Sequence, residues 1–192
     1  MLESPSHSDD DLLRLMSAGD EFAFVEFYRR YQGAVYRFAL QMSGKRDIAE
    51  EVTQDVFLAA MRGAKQYDRT RGSVPAYLYG IARNFVLRCL DRERPYLTVL
   101  DDPASDYSSQ VSAEADALSE LTRSERIESL RKAVLALPPA YREVVVLCDL
   151  HELDYAAAAD ALGCAIGTIR SRLHRARALL MEKMRYAERC AV

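Results

Sequence analysis

The arginines between positions 170 and 177 are the side chains with the clearest chemical potential in this 192-residue chain. Four polar residues fall on one face of a helix with about 3.6 residues per turn: Arg170, Ser171, His174 and Arg175. Ile169 and Leu173 fall on the opposite face, and Arg172 and Arg177 flank the basic one. The planar fork of an arginine matches a guanine edge or a phosphate, and such a helix fits the DNA major groove. Charge alone favours a basic face that is only solvated, so the case for DNA contact also depends on the turn that precedes this helix.

An acidic helical segment is a second chemical feature. Its polar residues are spaced i, i+1, i+4 and i+5, so they share one broad face: Glu50, Glu51, Gln54 and Asp55. Such a face suits a basic protein partner, because complementary charge helps to set the register of an interface. An ordinary solvated acidic face has the same composition, so this segment by itself leaves both interpretations open.

Helical periodicity positions these residues. Over the first 96 residues, apolar side chains recur three and four apart in successive segments, and no strand-like alternation is found. Asp20 is predicted to cap the first long helix and Gly44 to end it. Asp47 is predicted to cap the next helix, and Ser73 the one after, which Pro95 is predicted to end.

A linker and a second helical module are predicted after residue 96. Residues 97–113 are rich in Asp, Ser and Pro and show no periodicity, which indicates a linker that spans up to about 55–60 Å when extended. Residues 97–128 carry eight acidic and two basic side chains, whereas residues 129–192 carry seven acidic and ten basic ones. Helical spacing resumes at Leu118 and breaks at Pro138-Pro139. Three helices are predicted beyond this break: Ala140–Leu150, Tyr155–Leu162 and Ala165 to about Arg185.

The last two of these helices are predicted to form a helix-turn-helix. Asp154 can cap the shorter helix, and Gly163 can supply the left-handed residue of the turn. Ile169 and Leu173 would then seat the longer helix on the shorter one. Together with the one-sided basic face, this arrangement favours DNA contact over a basic face that is only solvated.

Composition and local sequence exclude several classes of protein. With 49% hydrophobic and 29% charged residues, the chain is not fully disordered. No stretch approaches the roughly 18 apolar residues of a membrane span, and residues Met1 to Asp11 lack the pattern of a secretory signal. We therefore expect a cytoplasmic protein without membrane contact. Its four cysteines are then expected to be reduced thiols: Cys89, Cys148, Cys164 and Cys190.

Catalytic and metal sites have little support in the sequence. The phosphate-binding loop, the zinc-protease helix and the hydrolase elbow are all absent as motifs. Cys148, His151 and Cys164 form at most part of a zinc site, because a fourth ligand is missing and the two thiols fall at apolar helix positions. We expect neither an enzyme nor a cofactor or metal.

The runs LPPAYREVVVL (Leu137 to Leu147) and LGCAIGTIRSRLHRAR (Leu162 to Arg177) carry a family resemblance. They closely resemble the promoter-upstream-element domain of bacterial extracytoplasmic-function (ECF) sigma factors of the sigma-70 family, whose pattern is LPxxxREVxxL followed by LGxxxGTVxSRLxRAR. The resemblance implies that the second run recognises the −35 promoter element. The implied contact residues are Thr168, Arg170, Ser171, Arg172, His174, Arg175 and Arg177, of which Arg172 and Arg177 would bind phosphates or pack locally. Where the family has Glu-Glu-Ile-Ala, this chain has Ala156–Ala159, which removes a branched side chain at Ala158 and costs about 2 kcal/mol of stability by analogy with core truncations.

The acidic segment resembles the other conserved domain of the same family. Residues 47–57, DIAEEVTQDVF, are similar to the family segment DAEDLVQEVF, which docks on the clamp of the largest RNA polymerase subunit. The resemblance implies that five residues bind polymerase: Asp47, Glu50, Glu51, Gln54 and Asp55. It also favours an interface over a merely solvated acidic face.

The sequence from Tyr67 to Asn84 resembles the family segment that recognises the −10 element and opens the strands. Catching an unstacked base requires aromatic walls and hydrogen-bonding side chains. The residues implied at this site are Tyr67, Asp68, Arg71, Tyr77, Arg83 and Asn84. Tyr77 stands where the family usually has Trp, and a core aromatic remains the alternative for it. Arg83 is also one of four arginines predicted to supply positive charge near phosphates, together with Arg88, Arg92 and Arg94.

The sequence therefore predicts an all-α protein with two small helical domains joined by an acidic linker. The predicted boundaries are 10–96 for a region 2-like domain, 97–124 for the linker and 125–187 for a region 4-like domain with a helix-turn-helix. The predicted function is that of a sigma factor, with core RNA polymerase, promoter DNA and an anti-sigma protein as partners. The linker is compatible with a path near the RNA or with plain disorder. The alternative function is a helix-turn-helix regulator that binds DNA alone as a dimer.

Overall fold

The structure is a computed structural model that describes residues 7–97 and 117–190. Within these residues the chain forms eight α-helices and no strand. Their bounds are α1 Asp9–Ser17, α2 Glu21–Ser43, α3 Arg46–Gly63, α4 Val74–Leu97, α5 Ala117–Leu135, α6 Pro139–Val145, α7 Tyr155–Leu162 and α8 Ile166–Cys190. Two short 3₁₀ turns, Ala64–Gln66 and Arg69–Arg71, join α3 to α4. The predicted all-α class is confirmed.

Local signals account for the ends of the N-terminal helices. The Asp20 carboxylate accepts hydrogen bonds from the backbone N–H groups of Phe22 and Ala23, so it caps α2 as predicted. Gly44 ends α2 in the left-handed conformation, at φ 74°. The predicted cap of α3 was wrong. Lys45 occupies that position without a side-chain bond, and Asp47 lies in the first turn, where the helix dipole still favours its charge.

Aromatic packing builds the N-terminal core, which α1 to α4 enclose. Phe27 and Phe38 of α2 are fully buried, and so are Val52 and Val56 of the neighbouring helix α3. The ring of Phe57 lies 6.1 Å from that of Phe27, edge to face. This core fixes the outward direction of the acidic face of α3.

The C-terminal helices have the predicted capping residues. The Asp154 carboxylate accepts a hydrogen bond from the Ala157 N–H at 2.8 Å, and Gly163 ends α7 at φ 62°. Ile169 and Leu173 of α8 are buried. Ala158, where the family has a larger residue, is buried as well. The predicted helix Ala140–Leu150 is not α-helical throughout, because its second half, Val146–Leu150, is a π-helical turn.

Two predicted boundaries differ from the structure. Helix α4 continues to Leu97, two residues past Pro95, because the fixed φ of proline is itself compatible with a helix, although Pro95 has no N–H for the bond to residue 91. Helix α5 begins at Ala117, so residues 117–124 are helical rather than part of a flexible linker. The rest of the predicted linker, 98–116, lies outside the described residues.

The two helical modules, α1–α4 and α5–α8, pack against each other. Helix α4 lies against α7, and α2 lies against α5. The buried apolar side chains of both modules form one continuous cluster, from Leu12 to Ala176. This contact brings the segment from Tyr67 to Asn84 next to the C-terminal module.

Candidate nucleic-acid interface

Helix α8 exposes the basic face that its sequence predicts. Four side chains on this face are exposed: Arg170, Ser171, His174 and Arg175. On the other side Ile169, Leu173 and Ala176 have exposed fractions of 0%, 2% and 0%. The two predicted residues Thr168 and Arg172 are half-buried at the margins. Burial of one stripe therefore holds the opposite stripe towards solvent, as contact with a DNA groove requires.

Arg177 differs from the other arginines of α8 because it is engaged within the protein. Its Nη2 lies 2.5 Å from Oδ1 of Asp149, and its Nε lies 3.1 Å from Oδ2. This two-point pairing with the carboxylate raises the pKa of Arg177 above its ordinary value. In this conformation Arg177 is therefore held by a carboxylate of the same chain.

The acidic face of α3 is also exposed. Asp47, Glu50, Glu51 and Gln54 are exposed, and Asp55 is half-buried. The Glu51 carboxylate accepts hydrogen bonds from Nη2 of Arg92 in α4, at 3.0 and 3.1 Å. Arg92 thus contacts a carboxylate, although the sequence predicted it near phosphates.

Two apolar residues extend this acidic face, and the sequence reasoning missed them. Leu58 and Met61 follow Gln54 at i+4 and i+7, which places them on its side of the helix. Their exposed fractions are 43% and 42%. The face thus combines charge at its start with apolar surface at its end. The i+4 and i+7 spacing of Leu58 and Met61 from Gln54 is the signal in the sequence that indicates this apolar extension.

A cleft of about 550 Å³ brings together most residues predicted for the −10 site. The predicted residues that line it are Tyr67, Asp68, Tyr77, Arg83 and Asn84. The backbone of Arg71 lies in the neighbouring 3₁₀ turn, and its side chain lies outside the described part of the structure. The ring centroids of Tyr67 and Tyr77 are 5.3 Å apart. Paired rings beside an amide are the side-chain types that hold an unstacked base.

The position of Tyr77 depends on Gly63. A Cβ atom on residue 63 would lie 2.6 Å from the Tyr77 hydroxyl oxygen, so a larger residue there would displace the hydroxyl end of the ring. Tyr77 is half-buried, and this burial raises the pKa of its hydroxyl. The ring thus lies in the cleft wall rather than fully within the core.

The N-terminal helix supports the segment that carries Tyr67. The Asp10 carboxylate of α1 lies 3.2 Å from Nε of Arg69. Burial, followed by the charge of Asp10, raises the pKa of Tyr67 to about 12, so this hydroxyl remains protonated. The Tyr67 hydroxyl donates to the carbonyl oxygen of Gly72 at 3.0 Å. Asp10 was not predicted at this site, because nothing local in the sequence shows that α1 reaches a turn nearly sixty residues later.

The opposite wall of the cleft comes from the C-terminal module, through residues 160–163. Arg83 also contacts this module, because its Nε lies 2.7 Å from Oε1 of Glu143 in α6. The guanidinium of Arg83 is therefore paired with a carboxylate in this conformation. The neighbouring Arg88 stacks its guanidinium 4.4 Å from the Phe85 ring centroid, and the side chain of Arg94 lies outside the described residues.

The histidine and cysteines considered for a metal site are not assembled into one. Within residues 7–97 and 117–190, no group of three or more His, Cys, Asp or Glu side chains is arranged to hold a metal ion. His151 contacts the Tyr79 hydroxyl and the Gln41 amide oxygen through its two ring nitrogens. Burial, with a smaller contribution from Arg37, lowers the pKa of His151 to about 4.

The described helices were also compared with the length and hydropathy of a membrane span. None of them has a sufficiently long and apolar stretch.

Two segments of the chain match models of one protein family. Residues 27–95 match Sigma-70 region 2, and residues 127–180 match Sigma-70, region 4. The chain is 33% identical over 182 residues to the ECF RNA polymerase sigma factor SigM of Mycobacterium tuberculosis strain H37Rv, covering 93% of this chain and 86% of that protein. It is also 33% identical over 171 residues to SigE of Mycolicibacterium smegmatis, covering 86% of this chain but only 64% of that relative's length.

Solved structures give the same result at the level of the fold. The sigma factor RpoE in complex with the anti-sigma factor NepR from Bartonella quintana matches with a TM-score of 0.63 and 29% identity, over 84% of this chain and 96% of that one. CnrH in complex with the cytosolic domain of CnrY matches with a TM-score of 0.65 and 25% identity, over 91% and 95%. These similarities agree with the motifs on α3, α4 and α8, and the chain belongs to the ECF RNA polymerase sigma factors of the sigma-70 family.

Proposed function

We propose that this protein binds core RNA polymerase and directs it to promoters that carry two recognition elements. The observation that carries the proposal is the presence of two separate candidate DNA surfaces, the basic face of α8 and the cleft beside Tyr77. Both are built from residues of the matched family regions. Because RNA synthesis is the chemistry of the polymerase, this chain is proposed to act as an initiation factor without catalysis of its own.

The outer face of α3 is the proposed polymerase contact. Glu50 and Gln54 provide exposed polar groups, and Leu58 and Met61 add apolar surface next to them. An interface of this kind gains affinity from the apolar part and orientation from the charges. The protein partner would then present a basic rim around an apolar centre.

The basic face of α8 is proposed to bind the upstream promoter element. Arg170 and Arg175 are exposed, and neither is paired with a carboxylate within the described residues, so their forks can bind guanine edges. Arg172, half-buried at the margin, suits a phosphate contact. The Asp149 pairing of Arg177 leaves it a supporting role.

The cleft is proposed to hold a base of the −10 element after the strands separate. Tyr67 and Tyr77 provide ring faces, and the exposed amide of Asn84 can form hydrogen bonds with a base edge. Asn84→Ala is expected to preserve polymerase binding but to impair opening. Permanganate reactivity of the −10 thymines measures this, and normal reactivity in the variant would refute the assignment.

An anti-sigma protein is the further proposed partner. RpoE was solved in complex with the anti-sigma factor NepR, and CnrH was solved in complex with the cytosolic domain of CnrY. We propose that this chain is held inactive by a protein of the same kind.

Run-off transcription from a randomised promoter pool tests the function directly. Core polymerase is supplied with this chain and with templates randomised in the upstream and −10 regions, and the transcripts are sequenced. We expect transcripts from templates that share two motifs at fixed spacing, and none from core polymerase alone. Failure to enrich any template would contradict the proposal.

A further inference from the structure

Two neighbouring aspartates in the first turn of α1 contact different parts of the protein. The Asp9 carboxylate accepts hydrogen bonds from Nη1 of Arg30 and from the Tyr31 hydroxyl of α2, both at 2.5 Å. The Asp10 carboxylate lies 3.2 Å from Nε of Arg69, in the second 3₁₀ turn between α3 and α4. Successive side chains of a helix point about 100° apart, so one carboxylate reaches α2 and the other reaches this turn.

Helix α1 is itself fixed in the N-terminal core. Leu12 and Leu13 are fully buried. The Ser8 hydroxyl caps the helix by accepting a hydrogen bond from the N–H of Asp11 at 3.2 Å. With the contacts that Asp9 makes to α2, these features hold α1 in one place. A carboxylate on such a rigid element can set the position of a less constrained segment beside it.

The segment that α1 contacts, residues 64–72, is closed by its own hydrogen bonds. The Asp68 carboxylate accepts from the backbone N–H and the hydroxyl of Thr70, at 2.9 and 2.7 Å. The Tyr67 hydroxyl donates to the carbonyl oxygen of Gly72 at 3.0 Å. Three of these four residues line the cleft, so the position of the segment determines the shape of that end of the cleft.

Asp10 acts on this segment at two residues. Its ion pair with Arg69 ties the centre of the segment to α1. Its charge, after burial, raises the pKa of Tyr67 to about 12, which keeps the Tyr67 hydroxyl protonated and able to donate. Helix α1 also packs against Ala64–Gln66, at the start of the segment. One carboxylate of α1 thus influences both the backbone path and the aromatic ring.

The ring of Tyr67 is the part of the segment that matters for a base. Its centroid lies 5.3 Å from that of Tyr77, which belongs to α4 rather than to the segment. The spacing between the two rings therefore depends on where residues 64–72 are held. Because a base stacks on ring faces, a change in this spacing changes how well each base fits.

We propose that Asp10 is a positioning residue for the −10 cleft, which holds Arg69 and Tyr67 so that the ring spacing, and with it the base preference, is set from α1. An exposed ion pair contributes little to overall folding stability, so the effect is expected on local order and selectivity. The effect on promoter selectivity rests on the proposed function. The hold on residues 64–72 depends only on contacts within this chain.

Hydrogen–deuterium exchange of the free chain tests this hold without polymerase or DNA. Asp10→Asn and Arg69→Gln each remove one charge of the pair. In either variant, exchange of peptides that cover residues 64–72 should accelerate about twofold to fivefold, the range for loss of an exposed ion pair. Glu21→Gln neutralises an exposed carboxylate in the first turn of α2, and this matched control should leave the exchange unchanged.

The double variant separates one shared contact from two independent effects. If the two residues act through their pair, Asp10→Asn combined with Arg69→Gln should exchange no faster than Asp10→Asn alone. Multiplied effects in the double variant, or unchanged exchange in both single variants, would overturn the hold. Circular dichroism checks helicity. If Asp10→Asn fails to fold, Arg69→Gln decides, because the Arg69 side chain is exposed and lies outside the core.

Base preference in transcription is the readout that a purely stabilising contact would not change. In run-off transcription from the randomised pool, Asp10→Asn should reduce the strongest base preference in the −10 region about threefold to tenfold, as expected when stacking on a ring is impaired. Preferences in the upstream element should stay unchanged, as should both regions with Glu21→Gln.

The two measurements distinguish the possible failures. Faster exchange of residues 64–72 with an unchanged −10 preference would overturn the positioning role of Asp10. If the unsubstituted chain enriches no template, the proposed function fails, and the exchange measurement still decides whether Asp10 holds the segment.

Discussion

The two candidate DNA surfaces of this protein differ in what their arginines contact within the chain. On α8, Arg170 and Arg175 are exposed and face solvent. In the cleft, Arg83 is paired with the buried Glu143, and the nearby Arg92 is paired with Glu51. An arginine in a recognition motif is thus not by itself evidence of a free cation. In this conformation the arginines of the proposed upstream surface face solvent, whereas Arg83 beside the cleft is engaged within the chain.

The largest expected effect is on the folding stability of the protein, at the Arg83–Glu143 pair between the two modules. Glu143→Ala removes a buried carboxylate and leaves Arg83 without its partner where the two modules meet. Breaking a buried pair costs about 3–5 kcal/mol, and the partial exposure of Arg83 reduces this to about 2–3 kcal/mol in the free energy of unfolding. Urea denaturation measures the loss, with Glu152→Ala as the control. A loss below about 0.5 kcal/mol would show that the Arg83–Glu143 pair contributes little to the free energy of unfolding.

The exposed surface is tested by DNA affinity rather than stability. Arg175→Ala should weaken binding to an upstream-element duplex by about 1–3 kcal/mol and relax selectivity at one base position. Polymerase-bound protein and a duplex recovered from the run-off pool are used, with Arg131→Ala as the control. Unchanged selectivity at every position would contradict a base contact by Arg175.

The pH dependence of folding stability reports on the contacts of His151 between the two modules. An unfolded histidine titrates near 6.5, whereas burial and Arg37 keep the pKa of His151 near 4, beside the Tyr79 hydroxyl and the Gln41 amide. As pH falls from about 6.5 towards 4, the unfolded chain takes up a proton that the folded chain does not, so folding stability declines. Above pH 6.5 this contribution is constant.

The expected size of this pH effect is modest because the ring is only partly buried. Between pH 7 and pH 5 the unsubstituted protein should lose about 1 kcal/mol more than His151→Gln in the free energy of unfolding. Denaturation curves at several pH values provide the comparison, and subtraction cancels the carboxylates common to both proteins. If the free energy of unfolding depends on pH in the same way in both proteins, His151 is not held neutral by its contacts with Tyr79 and Gln41.

The smallest expected effect separates two arginines of one helix. Arg177 is paired with Asp149 at the surface, and such pairs contribute about 0–1 kcal/mol. Arg177→Ala should therefore change upstream-duplex affinity by less than about 0.5 kcal/mol, well below the effect of Arg175→Ala. Equal losses for the two substitutions would mean that Arg177 leaves Asp149 to bind DNA.

Local rules predicted what local structure decides. Asp20, Gly44, Asp154 and Gly163 were recognised because capping depends on neighbours within a few residues. The buried stripe of Ile169 and Leu173 followed from helical periodicity, as did the exposure of the basic residues opposite it. Asp47 was misplaced by two residues because Lys45 precedes a helix that starts without a side-chain cap.

Contacts between distant segments could not be predicted in the same way. Arg83 pairs with a residue 60 positions later, and His151 bonds to Gln41 across 110 positions. Nothing in either neighbourhood indicates these partners, because they depend on how the two modules pack. For the same reason, motif matching identified the residues of the cleft but not the wall that the C-terminal module adds.

The most direct test of the proposed initiation function is a binding assay with one labelled promoter duplex. The duplex is mixed with the chain alone, with core polymerase alone and with both together. We expect a stable, permanganate-reactive complex only when both are present, because the proposed function requires polymerase, the cleft and the basic face of α8 to act together. Tight binding of the duplex by the chain alone, as a symmetric pair and unaffected by polymerase, would contradict it.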